Sequence, residues 1–380
     1  MRIGISTSVI QRGQTGIAQH VFALLRAMKP HCEQNQFVLF VMEEDTRQFG
    51  YLSDSMKLVT VPEEYRPPVR NILWHQTALP IMAREQRLDV LHIPSYRRLL
   101  WRRPCPLVGT IHDLAPFHVS GKYDWKRMFY GRVVAKRLAR RQDQLIAISE
   151  NTRHDLKTFF GISMERITVV YNGIDHERFF PGSKEQAQVL VKHHLGLNQP
   201  FFLYVARLEH PGKNHVRLIE AFDKFKMETG SDWQLVFAGS DWHGSEAIHS
   251  RIRKSPFGSD IQSLKFVPNE ILPDLYRAAA VFVYPSLYEG FGLPPLEAMA
   301  CGCPVISSTR GSLGEVLGKA AAIVQPEDVH SIYKELFNLA TSEELRKQFR
   351  SAGLMQAQKF NWKRTAEQTL DVYRRATNGS

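Results

Sequence analysis

Cysteine is scarce in this chain: Cys32, Cys105, Cys301 and Cys303 are the only four in 380 residues. A lone C-x-C pair with no second pair excludes the usual zinc-ribbon spacings. So few thiols in a chain of this size also point to a reducing compartment rather than a disulfide-stapled fold. Long apolar runs are missing as well; none approaches the ~20 residues that cross a bilayer. The chain starts MRIGIST, strand-like from its second residue and without a charged leader and apolar signal core, so a cytoplasmic protein is expected. Absent motifs narrow the chemistry further. There is no G-x-S-x-G elbow for a serine hydrolase, no H-E-x-x-H zinc helix and no D-x-D for a metal-held diphosphate, so no metal site is expected. Acids are short in one segment above all. Between Arg97 and Arg141 stand twelve Lys/Arg against Asp113 and Asp124, a local +10 in a chain of net charge +11.

What is present is a globular composition, 43% apolar and 23% charged. Single cores rarely grow beyond ~250–300 residues, so the length predicts two domains. Short apolar runs read as strands at 2–7, 37–42, 89–93, 106–111, 144–149 and 167–171. A second series falls at 201–206, 233–239, 264–267, 280–285, 304–308 and 321–324. Helical spacing fills the gaps, as at 17–28, and closes the chain at 342–357 and 363–375. Strand-helix alternation of this kind predicts an α/β fold with parallel sheets covered on both faces. The polar stretch after NGID (172–175) divides the two series, which predicts two Rossmann-like, doubly wound domains facing each other across a cleft. Ligands in such sheets sit beyond the carboxyl ends of the strands.

The basic segment 122–141, KYDWKRMFYGRVVAKRLARR, interleaves cations with Trp125, Met128, Phe129, Tyr130, Val133, Val134 and Leu138. Two readings stand side by side: a helix lying on an anionic membrane surface, or a core-packed helix with a solvated outer face. Nucleic acid is not expected, since no zinc-finger, RNP or helix-turn-helix spacing accompanies the charge.

Strand ends hold the candidate chemistry. After 280–285 comes EGFGLPPLE, in which Glu289 and Glu297 bracket Gly290, Gly292, Pro294 and Pro295. Prolines can start a helix there, glycines let backbone approach a ligand, and the helix start seats an anion between two acids that grip sugar hydroxyls. The plainer alternative is that Glu297 stabilises the first turn of its own helix. Arg207 follows the strand 201–206 and Lys213 opens the next helix. A cation at a helix N-terminus is disfavoured by ~0.3–1 kcal/mol unless an anion joins it, so the pair reads as a diphosphate clamp or, more plainly, as surface charge. Gly13 and Gly16 form a G-x-x-G turn after the first strand, half of a dinucleotide fingerprint, with Glu43 and Glu44 after the second. His112 and Asp113 follow 106–111. The imidazole either contacts a sugar or forms a structural pair with Asp113, which otherwise holds the loop.

Taken together, the G-x-x-G loop, TIHD (110–113), ISENTRHDL, VVYNGID (169–175), VARLEHPGKN, FVPNEILPDLY (266–276) and E-x7-E (289–297) resemble the retaining GT-B glycosyltransferases of family 4. The resemblance covers nearly the whole chain. It implies an acceptor-side domain at 1–178, a nucleotide-sugar domain at 190–362 and a final helix, 363–380, crossing back to the first domain. By that resemblance Glu289 holds the 3- and 4-hydroxyls of the donor sugar, beside the backbone of Phe291, Gly292 and Leu293. Glu297 holds the ribose, Arg207 and Lys213 neutralise the leaving diphosphate, and His112 contacts the C6 hydroxyl. Gly13 and Gly16 lie where phosphate and acceptor meet, although Gln14 and Thr15 separate two glycines that are commonly adjacent. The loops Gly239–Trp242 and Phe266–Asn269, with Gly239 and Val267, fall where the base is recognised. The implied reaction moves a hexose from UDP-glucose or GDP-mannose to a glycan or lipid-linked saccharide in polysaccharide assembly. It requires no cofactor, and 122–141 would rest on the inner face of the cytoplasmic membrane. A sugar-nucleotide epimerase, a phosphorylase and a non-catalytic sugar binder of the same fold are the alternatives.

Overall fold

Strands form where Val, Ile, Leu and Phe concentrate in short runs. The structure is a computed structural model, and it describes residues 1–13, 15–118 and 129–378. The first seven strands are β1 (Arg2–Ser6), β2 (Gln36–Met42), β3 (Lys57–Val61), β4 (Val90–Ile93), β5 (Leu107–Ile111), β6 (Gln144–Ala147) and β7 (Ile167–Val169). They build one parallel sheet in the order β3-β2-β1-β4-β5-β6-β7. Alternate residues serve opposite faces. Ile3, Ile5, Leu39 and Val41 pack with the helices Gly16–Met28 and Trp362–Asn378, while Phe40, Met42, Leu91 and Ile93 pack with Trp74, Leu79 and Leu138. Each fully buried aliphatic side chain contributes ~1.5–3 kcal/mol, which is why a sheet apolar on both sides needs two helical layers.

The second sheet holds six parallel strands: β8 (Phe201–Val205), β9 (Gln234–Ala238), β10 (Ile261–Ser263), β11 (Val281–Tyr284), β12 (Val305–Ser307) and β13 (Ala322–Ile323). Their order is β10-β9-β8-β11-β12-β13. The contacts divide the chain into two units. One comprises the described residues of Met1–Phe117, Tyr123–Gly173 and Trp362–Ser380; the other comprises those of His118–Lys122 and Ile174–Asn361. In each sheet the winding direction reverses between two central strands, β1 and β4 in the first and β8 and β11 in the second. Such a reversal opens a crevice at the carboxyl ends, and this places the loops after β8 and β11 at a binding position.

Two strand assignments differ from the sequence expectation. KLVTV (57–61) forms the edge strand β3, which exposed Lys57 and Thr60 conceal from an apolar-run search. LKFV (264–267) is not a strand. Pairing with β9 takes Ile261–Ser263 instead, and Lys265, at φ 56°, turns the chain out of the extended path and leaves Phe266 69% exposed. No described helix is long and apolar enough to cross a membrane.

Candidate active site

The loop after β8 is tied to the end of β11 by one buried side chain. Asn214 caps the helix His215–Thr229 in a left-handed conformation (φ 62°). Its Nδ2 donates to the Pro285 carbonyl at 2.9 Å and to the Pro326 carbonyl at 2.6 Å. The Leu287 N–H donates to the Gly212 carbonyl at 3.0 Å. Lys213 lies between these ties, immediately before the cap rather than inside the helix. Its Nζ is 2.6 Å from Glu289 Oε1 and 3.3 Å from the Tyr284 hydroxyl. Ser286 donates to the same Oε1 at 2.6 Å, and the Tyr204 hydroxyl donates to the Lys213 carbonyl at 2.5 Å. The Glu289 backbone is fixed too. Its carbonyl accepts from Ser312 N–H at 3.0 Å and Ser312 Oγ at 3.1 Å, and Gly311 passes so near that a Cβ there would stand 2.2 Å from it.

Burial works against the Lys213 charge, but Glu289, with Tyr204 and Glu209, outweighs it and holds the ammonium's pKa above its ordinary value. A buried ion pair survives only with such additional hydrogen bonds. The network therefore presents a fixed cation beside a fixed carboxylate before any ligand arrives.

Arg207 takes no part in this network. Its guanidinium is 4.4 Å from the centre of the Trp242 ring and 3.8 Å from Glu209 Oε2, with 46% of the side chain exposed. Gly239 lets the two loops touch, because a Cβ there would sit 1.9 Å from the Ala206 carbonyl oxygen. Val267 is buried beside the left-handed Lys265.

The helix Leu293–Ala300 begins after Gly292 (φ 99°) with proline in its first turn. Glu297 falls in the second turn, not the first, so it does not serve the helix N-terminus. Its Oε2 accepts from the Tyr276 hydroxyl at 2.9 Å. Burial pushes its carboxyl above the usual range against that bond and nearby Arg178. Leu293 opens the helix, and Phe291 packs edge-on to Phe360 with ring centres 5.8 Å apart.

In the N-terminal unit, the end of β5 carries His112. Its Nε2 lies 3.1 Å from the Pro94 carbonyl, which only accepts, so the proton is on Nε2 and Nδ1 is the acceptor of the neutral ring. His20 packs edge-on at 4.7 Å and bonds Asn172 Oδ1 through Nδ1 at 2.8 Å. Burial lowers His112 to about 4 and His20 to about 3. Asp113 accepts the Ala115 N–H at 3.0 Å, so of its two open roles the structure gives it the loop. Gly13 (φ 82°) turns the chain after β1, and its carbonyl accepts from Gln19 Nε2 at 3.1 Å. Gly16 begins the helix capped by Thr15, with open space where its Cβ would be. Gln14 lies outside the described residues. Glu44 is spent on an exposed pair with Arg12 at 2.9 Å.

Of the basic segment 122–141, residues 122–128 lie outside the described residues. In the remainder, Tyr130, Val134, Ala135, Leu138 and Ala139 pack into the core, while Phe129 is exposed. A helix with two exposed apolar residues stands nearby in the fold. Pro68–Gln76 buries Asn71, Trp74 and His75 and exposes Val69 and Leu73, and its Gln76 accepts the Trp101 N–H at 2.9 Å. Arg141 stacks over exposed Trp101 at 3.6 Å. Sequence reasoning missed Ser286, Tyr284 and Asn214, and named Trp242 only as the end of a loop expected at the base. Only the position of Ser286, three residues before Glu289, offered a signal. No group of three or more His, Cys, Asp or Glu that could hold a metal exists among the described residues.

Comparison with known proteins bears on the family and the fold. The Glycosyltransferase Family 4 model matches residues 14–178, and the Glycosyl transferases group 1 model matches 186–355. An O-antigen chain mannosyltransferase B of Escherichia coli is 28% identical, over 98% of this chain and 100% of its own length. An MMP alpha-(1->4)-mannosyltransferase of Mycolicibacterium hassiacum is 30% identical, over 71% of this chain and 66% of its own. The crystal structure of Anabaena HepE in complex with UDP-glucose shares the fold, with a TM-score of 0.76 over 98% of each chain at 19% identity.

Proposed function

Because the chain belongs to the glycosyltransferases of group 1 and family 4, enzymes that move a sugar from a nucleotide-diphosphate donor, we propose that it transfers mannose from GDP-mannose to a saccharide acceptor with retention of the α configuration. The Lys213–Glu289–Ser286 network at the β8/β11 reversal carries this reading. The choice of mannose rests on the two mannosyltransferases the chain resembles.

The bond from the anomeric carbon to the diphosphate breaks with its electron pair on the leaving oxygen. The acceptor oxygen then bonds that carbon on the same face, and its proton passes to the departing β-phosphate. Negative charge grows where Lys213 and Arg207 supply cations, and stabilising such charge is usually the largest catalytic contribution. Glu289 has about four acceptor sites; Lys213 and Ser286 occupy one oxygen, and the carboxylate has capacity for sugar hydroxyls. His112 accepts through Nδ1, so a sugar hydroxyl donates to it rather than the reverse. In this role Glu297, raised by burial and bonded to Tyr276, receives the ribose hydroxyls. For the acceptor's surroundings, an anionic membrane surface fits Val69, Leu73 and Trp101 with Arg141 and Arg70 around them better than the core-packed part of 122–141.

The test is a panel of nucleotide sugars screened by thermal stabilisation and then by turnover with saccharide acceptors. Stabilisation grows with ligand concentration over Kd, so the true donor stands out. GDP-mannose is expected to lead, and proton NMR of the product to show an α linkage. A β product overturns retention, and donor cleavage that yields no acceptor product favours the epimerase alternative.

A further inference from the structure

Beyond the ends of β8 and β9, the chain continues as two strips laid side by side. Leu208 N–H donates to the Ser240 carbonyl at 3.0 Å and Trp242 N–H donates to the Leu208 carbonyl at 3.1 Å. A glycine stands at each end of the second strip. A Cβ at Gly239 would be 1.9 Å from the Ala206 carbonyl oxygen, and one at Gly244 would be 2.8 Å from that of His210. Asp241 anchors the outer side by accepting from His249 Nε2 at 2.7 Å. Trp242 is thereby held on a rigid strip although its side chain is 52% exposed, an arrangement that apolar burial does not account for. What it touches is Arg207. The guanidinium carbon lies 4.4 Å from its ring centre. Among the described residues the Arg207 guanidinium makes no hydrogen bond, its nearest acid being Glu209 at 3.8 Å.

A guanidinium stacked on an aromatic face has its charge stabilised through the face, while its five N–H donors lie in the plane and stay available. We propose that Trp242 is a positioning residue for the leaving diphosphate: it restrains Arg207 face-on, so that the edge of the guanidinium meets the phosphate oxygens without first breaking hydrogen bonds. This assigns Trp242 to the phosphate end of the donor rather than to the base. It rests on the proposed donor site but concerns phosphate recognition, which can be measured without turnover.

Trp242→Ala, Trp242→Phe, Arg207→Ala and Trp242→Ala/Arg207→Ala proteins are compared for binding of inorganic pyrophosphate, GDP and guanosine by calorimetry, and for kcat/KM with the donor found active. Trp242→Ala is expected to weaken pyrophosphate and GDP about 3- to 10-fold, the scale of a cation–π contact, and to leave guanosine unchanged. Phenylalanine should restore most of that loss. In the Arg207→Ala background the tryptophan change should have no further effect, which a merely structural role would not produce. Equal weakening of guanosine and GDP would make Trp242 a base platform and overturn the proposal, as would independent effects in the double variant. If no nucleotide sugar is turned over, the glycosyltransfer reading fails, while the pyrophosphate measurements still decide the role of Trp242.

Discussion

At the end of β11 in the C-terminal unit, charge is set against charge: Lys213 and Ser286 both donate to one carboxylate oxygen of Glu289. At the end of β5 in the N-terminal unit, ring is set against ring. His112 meets His20, behind which His92 bonds Tyr373 and Thr110 at 2.7 Å each, and burial holds all three uncharged. Two sheets of like winding thus finish their strands in opposite electrostatic states. The charged end matches the role proposed for Lys213, where negative charge grows on the departing diphosphate, and the uncharged end matches the acceptor role proposed for His112.

Acidification should break this comparison most strongly. His20, His75 and His92 are lowered to about 3 and His112 to about 4, whereas an unfolded histidine titrates near 6.5. Below about pH 6.5 the unfolded chain takes up protons that the folded N-terminal unit refuses. Stability is therefore full above that pH and falls as pH drops toward 4, by up to ~1.4 kcal/mol per pH unit for each histidine. The C-terminal unit holds His215, lowered to about 3, and His210, lowered less. Hydrogen exchange, corrected for its intrinsic pH dependence, should show the N-terminal unit loosening first between pH 6.5 and 4.5. Equal loosening of both units would remove the asymmetry.

A charge change in the other unit comes next in size. Lys213→Ala should lower kcat/KM by ~10²–10³-fold, the scale for losing one preorganised charge stabiliser. Glu289→Gln leaves a buried ammonium without its counter-charge, and breaking such a pair costs ~3–5 kcal/mol, so its melting temperature should fall clearly. Arg207→Ala, at an exposed side chain, should reduce activity and barely move the melting temperature. Identical thermal losses for Glu289→Gln and Arg207→Ala would show that the network is no more built than the surface.

These features were unequally visible beforehand. Interior strands such as β2 and β11 announced themselves because burial on two faces demands continuous apolar runs. The edge strand β3 did not, since its outward residues answer to water. The loop acids and cations were legible because chemistry restricts residue type there. Which of them meet was not. Lys213 and Glu289 are 76 residues apart and are joined by Asn214, a left-handed cap whose identity carries no message until Pro285 and Pro326 are seen beneath it. The basic segment left two readings open for a related reason: an apolar stripe beside cations looks alike whether it faces lipid or, as for Tyr130, Val134, Ala135, Leu138 and Ala139, the core.

That ambiguity leads to the smallest expected effect. The surface proposed to meet an anionic bilayer combines the helix Pro68–Gln76, where Leu73 is 56% exposed, with Trp101, 48% exposed and with Arg141 stacked above it. Leu73→Glu inserts a charge where an apolar side chain would enter the interface, and losing burial of one leucine is worth ~1.5–3 kcal/mol, or about tenfold or more in partitioning. Co-sedimentation with phosphatidylglycerol vesicles should fall by that factor, and 0.5 M salt should weaken the wild-type protein as well by screening the arginines. Val189→Glu is the matched change in the C-terminal unit, at a side chain 68% exposed on the helix Lys184–Leu195, and should leave sedimentation unaltered. If the two variants behave alike, exposed apolar residues on either unit are mere surface. If Leu73→Glu instead converts a dimer to a monomer without altering vesicle binding, the helix Pro68–Gln76 faces a second copy of the chain rather than lipid.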